Sequence, residues 1–273
     1  MQPTIAQALA TARLDAVDAR ALMRYACAVN DAYLIAHADE TLSAAHGATY
    51  AAFVARRTAG EPVAYITGAR EFFSLEFKVT PAVLIPRPET ELLVEFALES
   101  VSADRVCSVL DLGTGSGCVA IAIAKHRPRA RVVALDRSAA ALAVARENAT
   151  RHATANLELR ESDWFAALGA QRFDVIVANP PYVATGDPHL EAGDLRFEPA
   201  GALVAGSDGL ACIRVIVAAA SRHLQVGGWL AIEHGYDQAG RCCDMLVAAG
   251  FDAVFSRTDL AGIARISGGQ WHA

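Results

Sequence analysis

Val109-Leu110-Asp111-Leu112-Gly113-Thr114-Gly115-Ser116-Gly117-Cys118-Val119-Ala120 reads as a short apolar strand, a glycine-rich turn and the start of a helix. Glycine takes φ values closed to other residues and lets a ligand approach the backbone, so this turn marks a candidate binding site in an open α/β sheet. Working outward, strand patterns fall at 106–110, 131–135, 156–160, 173–178, 228–233 and 251–256, with helical patterns such as 138–150 and 208–224 between them. Strands alternating with helices predict a doubly wound α/β domain over residues 102–273. Residues 1–75 carry Ala and Leu at helical spacing and predict a small bundle. In it, Asp15 caps a helix running through Ala28, with Leu22, Tyr25 and Val29 on one face. A later helix carries Tyr50, Phe53 and Val54 and ends before Gly60, with Arg56 and Arg57 as solvated residues at its end. Residues 76–101 form the connector and linker: a hairpin-like stretch runs from Phe72-Phe73 to Val83-Leu84, and Pro81, Pro86 and Pro88 stiffen the entry to the second domain.

The glycine turn alone does not separate ligand classes. Dinucleotide enzymes space their glycines Gly-x-Gly-x-x-Gly, whereas here the third glycine comes one residue early. Asp111 also precedes the turn, where a diphosphate would meet a like charge; a carboxylate there suits a ligand with a cationic, methionine-type ammonium. Asp136 closes the second strand and is placed to accept ribose hydroxyls. After the strand near Leu157 to Arg160 comes Glu161-Ser162-Asp163-Trp164-Phe165, in which Asp163 suits a purine's exocyclic amine and Trp164 the face of its ring. Taken singly, each acid is an ordinary cap or loop residue; in this order, at successive strand ends, they describe one nucleoside-type ligand.

Phe173-Asp174-Val175-Ile176-Val177-Ala178 is a buried-strand pattern that runs into Asn179-Pro180-Pro181-Tyr182. Neither proline can donate a ladder hydrogen bond, so the strand stops and Asn179 is held at its C-terminal tip. The Asn179 side-chain oxygen and the Pro180 carbonyl are two acceptors on a stiff turn, suited to a planar –NH2 group. Pro181 offers no competing N–H, and Tyr182 supplies a ring for a flat substrate.

Composition bounds the rest. At 273 residues and 53% hydrophobic, the chain holds one sizeable core and a satellite domain. With 24 basic against 30 acidic residues, net −6, the balance argues against a nucleic acid as principal partner. Cys27, Cys107, Cys118, Cys212, Cys242 and Cys243 show no metal spacing and read as reduced thiols, so no metal is expected. No run approaches a membrane span and no targeting segment is legible, which predicts a cytoplasmic chain.

With these motifs in hand, the chain resembles, over nearly its whole length, the HemK/PrmC family of N(5)-glutamine methyltransferases. Besides the glycine turn and Asn179–Tyr182, the resemblance is carried by Gly60-Glu61-Pro62-Val63-Ala64-Tyr65-Ile66-Thr67-Gly68 and Leu84-Ile85-Pro86-Arg87-Pro88-Glu89-Thr90-Glu91. Phe197-Glu198-Pro199, Asp208-Gly209-Leu210 and Ile232-Glu233-His234-Gly235 match as well. The resemblance implies a Rossmann-like class I fold dependent on S-adenosyl-L-methionine, with an antiparallel final hairpin, and an N-terminal bundle that recognises release factors. It implies methylation of the glutamine amide in the Gly-Gly-Gln motif of peptide chain release factors. It also implies cofactor contacts from Gly113, Thr114, Gly115, Ser116, Gly117, Asp136, Asp163, Trp164 and Asn179, and a substrate grip from Asn179, Pro180, Pro181 and Tyr182, with Arg87 bordering the channel. Catalysis is expected from Asn179, Pro180 and Tyr182. Glutamine methylation of a ribosomal protein and adenine N(6) methylation of a nucleic acid remain as alternatives, because an exocyclic amine fits the same grip.

Three details stay open on sequence grounds. Arg87 either pairs with Glu89 as a staple or walls the cofactor pocket, and Glu89 reads as an N-cap for the helix with Leu92, Leu93 and Phe96. His234 reads as structural. Gly268-Gly269-Gln270, in a glycine-rich tail after the 251–256 strand, repeats the target tripeptide, either by coincidence or as a pseudo-substrate.

Overall fold

The structure, a computed structural model, describes residues 2–272. The chain divides into two compact units: residues 1–69 together with 191–197, and residues 70–190 together with 198–273.

The smaller unit is helical. Helices α1 (Ile5–Thr11), α2 (Ala16–Cys27), α3 (Asp31–Ala36), α4 (Ala44–Thr58) and α5 (Val63–Thr67) bury one apolar cluster around Leu22, Met23, Leu34, Leu42, Tyr50 and Ile66. Polar caps set their starts: Thr4 forms a capping box with Gln7, and the Asp15 carboxylate accepts from Val17 N at 2.8 Å. Two expectations fail locally. Tyr25 lies on the outer side of α2 and is 39% exposed, because α2 turns Leu22, Met23 and Ala26 inward. Arg57 is not merely a solvated helix end; it bridges Asp18 at 2.7 Å and Asp194 at 2.8 Å.

The larger unit takes in all but the first residue of a two-stranded hairpin, β1 (Ala69–Phe72) and β2 (Leu75–Lys78), and then helix α6 (Glu91–Ser100). Its sheet contains β3 (Ser108–Leu112), β4 (Arg131–Asp136), β5 (Leu157–Glu161), β6 (Phe173–Ala178), β7 (Leu224–Glu233), β8 (Phe251–Thr258) and β9 (Ala264–Trp271) in the order β5-β4-β3-β6-β7-β9-β8. All neighbours are parallel except β9, which runs antiparallel to both β7 and β8. Helices α7 (Cys118–His126), α8 (Ala139–Arg151), α9 (Ala211–Ala220) and α10 (Ala239–Ala248) connect the strands.

The central strands read as unbroken apolar runs because both their faces are buried. Val109, Val132, Ala134, Val175 and Val177 face a core shared with α6 and α7, while Leu110, Leu112, Val133, Leu135 and Ile176 face a second core shared with α9 and α10. That alternation is the two-residue period of a strand. The chain around 208 is not yet helical. Asp208 pairs with Arg214 and accepts from Leu210 N, and α9 starts three residues later than the periodicity suggests. No helix among the described residues is long and apolar enough to cross a membrane.

The Gly268-Gly269-Gln270 tripeptide is not a tail. It lies inside β9, where Gly268 faces Ala231 on β7 and Phe255 on β8, and Gln270 Nε2 donates to Gly227 O at 2.9 Å. A Cβ on Gly268 would lie 2.3 Å from Leu230 O and 2.6 Å from the Phe255 ring, so close strand packing explains the glycine.

Candidate active site

The chain reverses strand order between β3, which leads outward to β4, and β6, which leads the other way, and ligands of open α/β sheets sit at that point. A cavity of about 280 Å³ opens there, lined by Gly113, Thr114, Gly115, Ser116, Asp136, Asp163, Trp164, Asn179, Pro181 and Arg87 among others. Ten of the residues expected from sequence thus meet at one cavity. Gly117, Pro180 and Tyr182 do not line it.

The glycine turn is built by main-chain bonds. Gly113 N and Thr114 N both donate to Leu135 O, at 2.8 and 2.9 Å, and the Asp136 carboxylate accepts from Gly115 N and Ser138 N at 2.9 Å each. One carboxylate thereby holds the turn against β4 while keeping lone pairs for a ligand. Gly113 has φ +73°, and a Cβ there would sit 3.8 Å from the Trp164 ring and 3.9 Å from Asn179 O, at the cavity wall. Gly117 does a different job. It precedes α7 with φ +83°, and a Cβ would crowd Ile121 at 3.0 Å and Ala145 at 3.2 Å, so it lets α7 approach α8. Asn148, fully buried on α8, ties this region to the hairpin by donating to Ser116 O and Lys78 O while accepting from Lys78 N.

Asp111 lies at the base of the cavity with 2% exposure, and Thr114 Oγ1 donates to it at 2.6 Å. Burial pushes its carboxyl up to about 7, the Thr114 hydrogen bond opposes this, and the nearby Asp136 charge adds to it. Ser116 Oγ, also on the cavity wall, is buried without a hydrogen-bond partner. Asp163 and Trp164 stand on the wall too, and Trp164 holds φ +46°, a costly conformation for a large side chain. A buried hydroxyl, a buried carboxyl, a strand-tip acid and an aromatic wall fit a nucleoside that carries an amino-acid tail.

Asn179 stands at the tip of β6. Its Nδ2 donates to Thr90 Oγ1 at 3.1 Å, which commits the donor end of the amide and leaves Oδ1 to accept. Tyr182 turns inward, and its hydroxyl donates to Glu233 Oε1 at 3.3 Å. Burial and the Glu233 charge hold that phenol well above its ordinary value. Gln238 Nε2 donates to Tyr182 O at 3.0 Å, and Gly209 leaves room for the same carbonyl, which a Cβ would approach to 2.3 Å.

Of the two readings of Arg87, the cavity wall is the one observed, and the ion pair it makes is not with Glu89. Arg87 pairs with Glu198, whose other oxygen accepts from Ile85 N at 3.0 Å, so one buried carboxylate pins the 85–87 segment. Glu89 does not cap α6: Thr90 precedes that helix without a side-chain cap, Glu89 lies 3.9 Å from Arg265, and Glu91 accepts from Phe73 N instead. Thr90, Glu198 and Glu233 are the site residues that sequence reasoning left without a role. The only signal for them was their position inside quoted motif segments. His234 is buried, and its ring bonds Gly235 O and Ser267 Oγ. Among the described residues no group of three or more His, Cys, Asp or Glu is arranged to hold a metal ion.

Residues 89–206 match the family described as methyltransferase small domain, and residues 4–68 the PrmC N-terminal domain. A Pyrococcus furiosus methyltransferase structure shares the fold at TM-score 0.56 and 19% identity, covering 80% of this chain and 98% of its own. A T. thermophilus 16S rRNA methyltransferase in complex with AdoMet and guanosine does so at TM-score 0.55 and 21% identity, over 74% of this chain and 49% of its own. Fold and site together define a class I methyltransferase that depends on S-adenosylmethionine. A Burkholderia pseudomallei protein named release factor glutamine methyltransferase is 56% identical over 98% of this chain and 96% of its own length. Its Xylella fastidiosa namesake is 47% identical over 98% of both. The chain belongs to the release factor glutamine methyltransferase family.

Proposed function

We propose that this protein methylates the side-chain amide nitrogen of the glutamine in the Gly-Gly-Gln motif of peptide chain release factors. The observation that carries this reading is the orientation of Asn179: with Nδ2 bound to Thr90, its Oδ1 is the end that accepts a substrate –NH2. When bound, S-adenosylmethionine supplies an electrophilic methyl group on a sulfonium. Asp111 and Ser116 would hold its amino-acid part, Asp136 the ribose, and Asp163 and Trp164 the adenine. The glycines at 113 and 115 admit it to the backbone.

An amide nitrogen is a poor nucleophile because its lone pair is delocalised into the carbonyl. Asn179 Oδ1 and Pro180 O accept its two hydrogens and fix its direction, which removes the entropy of finding that geometry. As nitrogen gains positive charge, the same two acceptors interact with it more strongly than in the ground state. Tyr182 braces the turn from within. The methylated nitrogen is acidic and loses its proton without a strong base. The 1–69 unit recognises the release factor, and Arg87 borders the substrate channel. The reaction takes place in the cytoplasm, where release factors work.

The test is methyl transfer from labelled S-adenosylmethionine to purified release factor, a ribosomal protein and DNA in parallel, with peptide mapping. Label on the Gly-Gly-Gln glutamine is expected; label confined to another acceptor would replace the substrate assignment.

A further inference from the structure

We propose that Glu233 is a positioning residue for methyl transfer, its ionised carboxylate bracing the two side chains, Tyr182 and Thr90, that hold the substrate-gripping turn in place. The proposal rests on the functional reading above and adds a residue and a pH dependence to it.

Glu233 closes β7 beside β6. The register pairs Ala178 with Ile232, so the next residues, Asn179 and Glu233, stand side by side at the tips of adjacent parallel strands. Glu233 is 2% exposed, and its Oε1 accepts from the Tyr182 hydroxyl. Its Oε2 makes no hydrogen bond of normal geometry, while the Thr90 hydroxyl acts on the carboxylate as a second donor. Burying a carboxylate with so few hydrogen bonds costs stability that an apolar residue would not, so a carboxylate at this place calls for an explanation beyond packing.

The groups around it come from every element that meets the tip of β7. Thr90 and Glu89 lie on the segment before α6, Tyr182 follows β6, Arg265 comes from β9, and Cys118 begins α7, while Arg87 acts on the Tyr182 hydroxyl. Burial pushes the Glu233 carboxyl up to about 7; the Thr90 and Tyr182 hydroxyls pull it back, Glu89 raises it and Arg265 lowers it. Near neutral pH the group therefore passes between an anion that accepts from its neighbours and an acid with a proton of its own. The acid still accepts from Tyr182 through its carbonyl oxygen, but the anion accepts more strongly, and only the anion stands as a negative charge beside Thr90, which in turn receives the Asn179 Nδ2 hydrogen. A negative charge behind the turn also favours the positive charge that develops on the substrate nitrogen.

The experiment measures kcat and KM on intact release factor at saturating cofactor between pH 5.5 and 9, for wild type, Glu233→Gln and Tyr182→Phe. Cofactor affinity is followed separately by calorimetry. Saturation removes any contribution of Asp111 to cofactor capture. Wild-type kcat is expected to rise through pH about 7. Glu233→Gln should lower kcat by about 10- to 100-fold and flatten that rise, with cofactor Kd within about twofold. Tyr182→Phe removes a hydrogen bond to the anion and should move the rise to higher pH. A Glu233→Gln enzyme with wild-type kcat and the same pH profile overturns the proposal. Should that variant fail to fold, an unmoved pH profile in Tyr182→Phe overturns it equally. Absence of methyl transfer by the wild type would overturn the functional reading itself, so the two failures are distinguishable.

Discussion

Asn179 Nδ2 donates to Thr90 Oγ1 across 3.1 Å, linking the tip of β6 to the segment before α6, 89 residues earlier in the chain. This bond commits the nitrogen end of the Asn179 amide and leaves Oδ1 to accept. Asn179→Ala is expected to lower kcat by about 10²–10³, the usual effect of losing a group that acts on developing charge. Thr90→Val keeps the shape but frees the amide to rotate, and about a tenfold loss is expected. Cofactor affinity measured by calorimetry should stay near wild type in both; a loss confined to cofactor binding would remove Asn179 from the substrate grip.

Asp111 is expected to link pH to both stability and cofactor capture. Its folded value, about 7, lies above that of an unfolded aspartate, so between the two the folded state holds the extra proton. Its contribution to stability therefore falls as pH rises from about 4 to about 7, then levels off. Asp111→Asn should raise the melting temperature of the cofactor-free protein at pH 8 and weaken cofactor binding about tenfold or more. Calorimetry that found unchanged affinity would exclude the ammonium role.

Glu198 is expected to matter for the wall of the cavity. Glu198→Ala leaves Ile85 N and Arg87 without their shared acceptor, and losing a buried partner of this kind costs about 1–3 kcal/mol. Urea unfolding should show that loss. Glu89→Ala, by contrast, should change stability by less than about 0.5 kcal/mol, because no described cap depends on it. Equal losses in the two variants would return the staple to Glu89.

The Gly268-Gly269-Gln270 strand gives a prediction of the opposite kind from a mobile tail. Gly268→Ala should destabilise the protein by about 1–3 kcal/mol through overpacking against Leu230 O and the Phe255 ring. Gln270 should remain unmodified by mass spectrometry after long incubation with S-adenosylmethionine, since β9 lies between β7 and β8 in the sheet. Methylated Gln270 in folded enzyme would contradict this placement.

Much of the larger unit was legible because its signals are local. A β-branched run, a glycine turn and a Pro-Pro stop each act within a few residues, so β6 falls at 173–178 as read, and Asp111, Asp136 and Asp163 line one cavity. The N-cap at Asp15 is equally local and is observed. Errors gather where a residue's partner lies far along the chain. Of the two readings of Arg87, the cavity wall agrees with the structure and the staple onto neighbouring Glu89 does not, because its carboxylate is Glu198, 111 residues away. Tyr25 follows the helical apolar spacing, yet its side of α2 is left outside the cluster. β9 was hidden by its glycines, which are poor strand formers and are tolerated because neighbouring strands approach too closely for side chains.

The order of most strands and helices, the glycine turn and the place of Asn179 at a strand tip were determined by the sequence itself, since backbone propensity and residue type act over a few positions. Which carboxylate holds Arg87, which end of Asn179 is free, and why Glu233 lies buried between Tyr182 and Thr90 were decided only by tertiary structure. Strand register and burial bring those groups together and exclude water from them, and neither quantity exists until the sheet has formed.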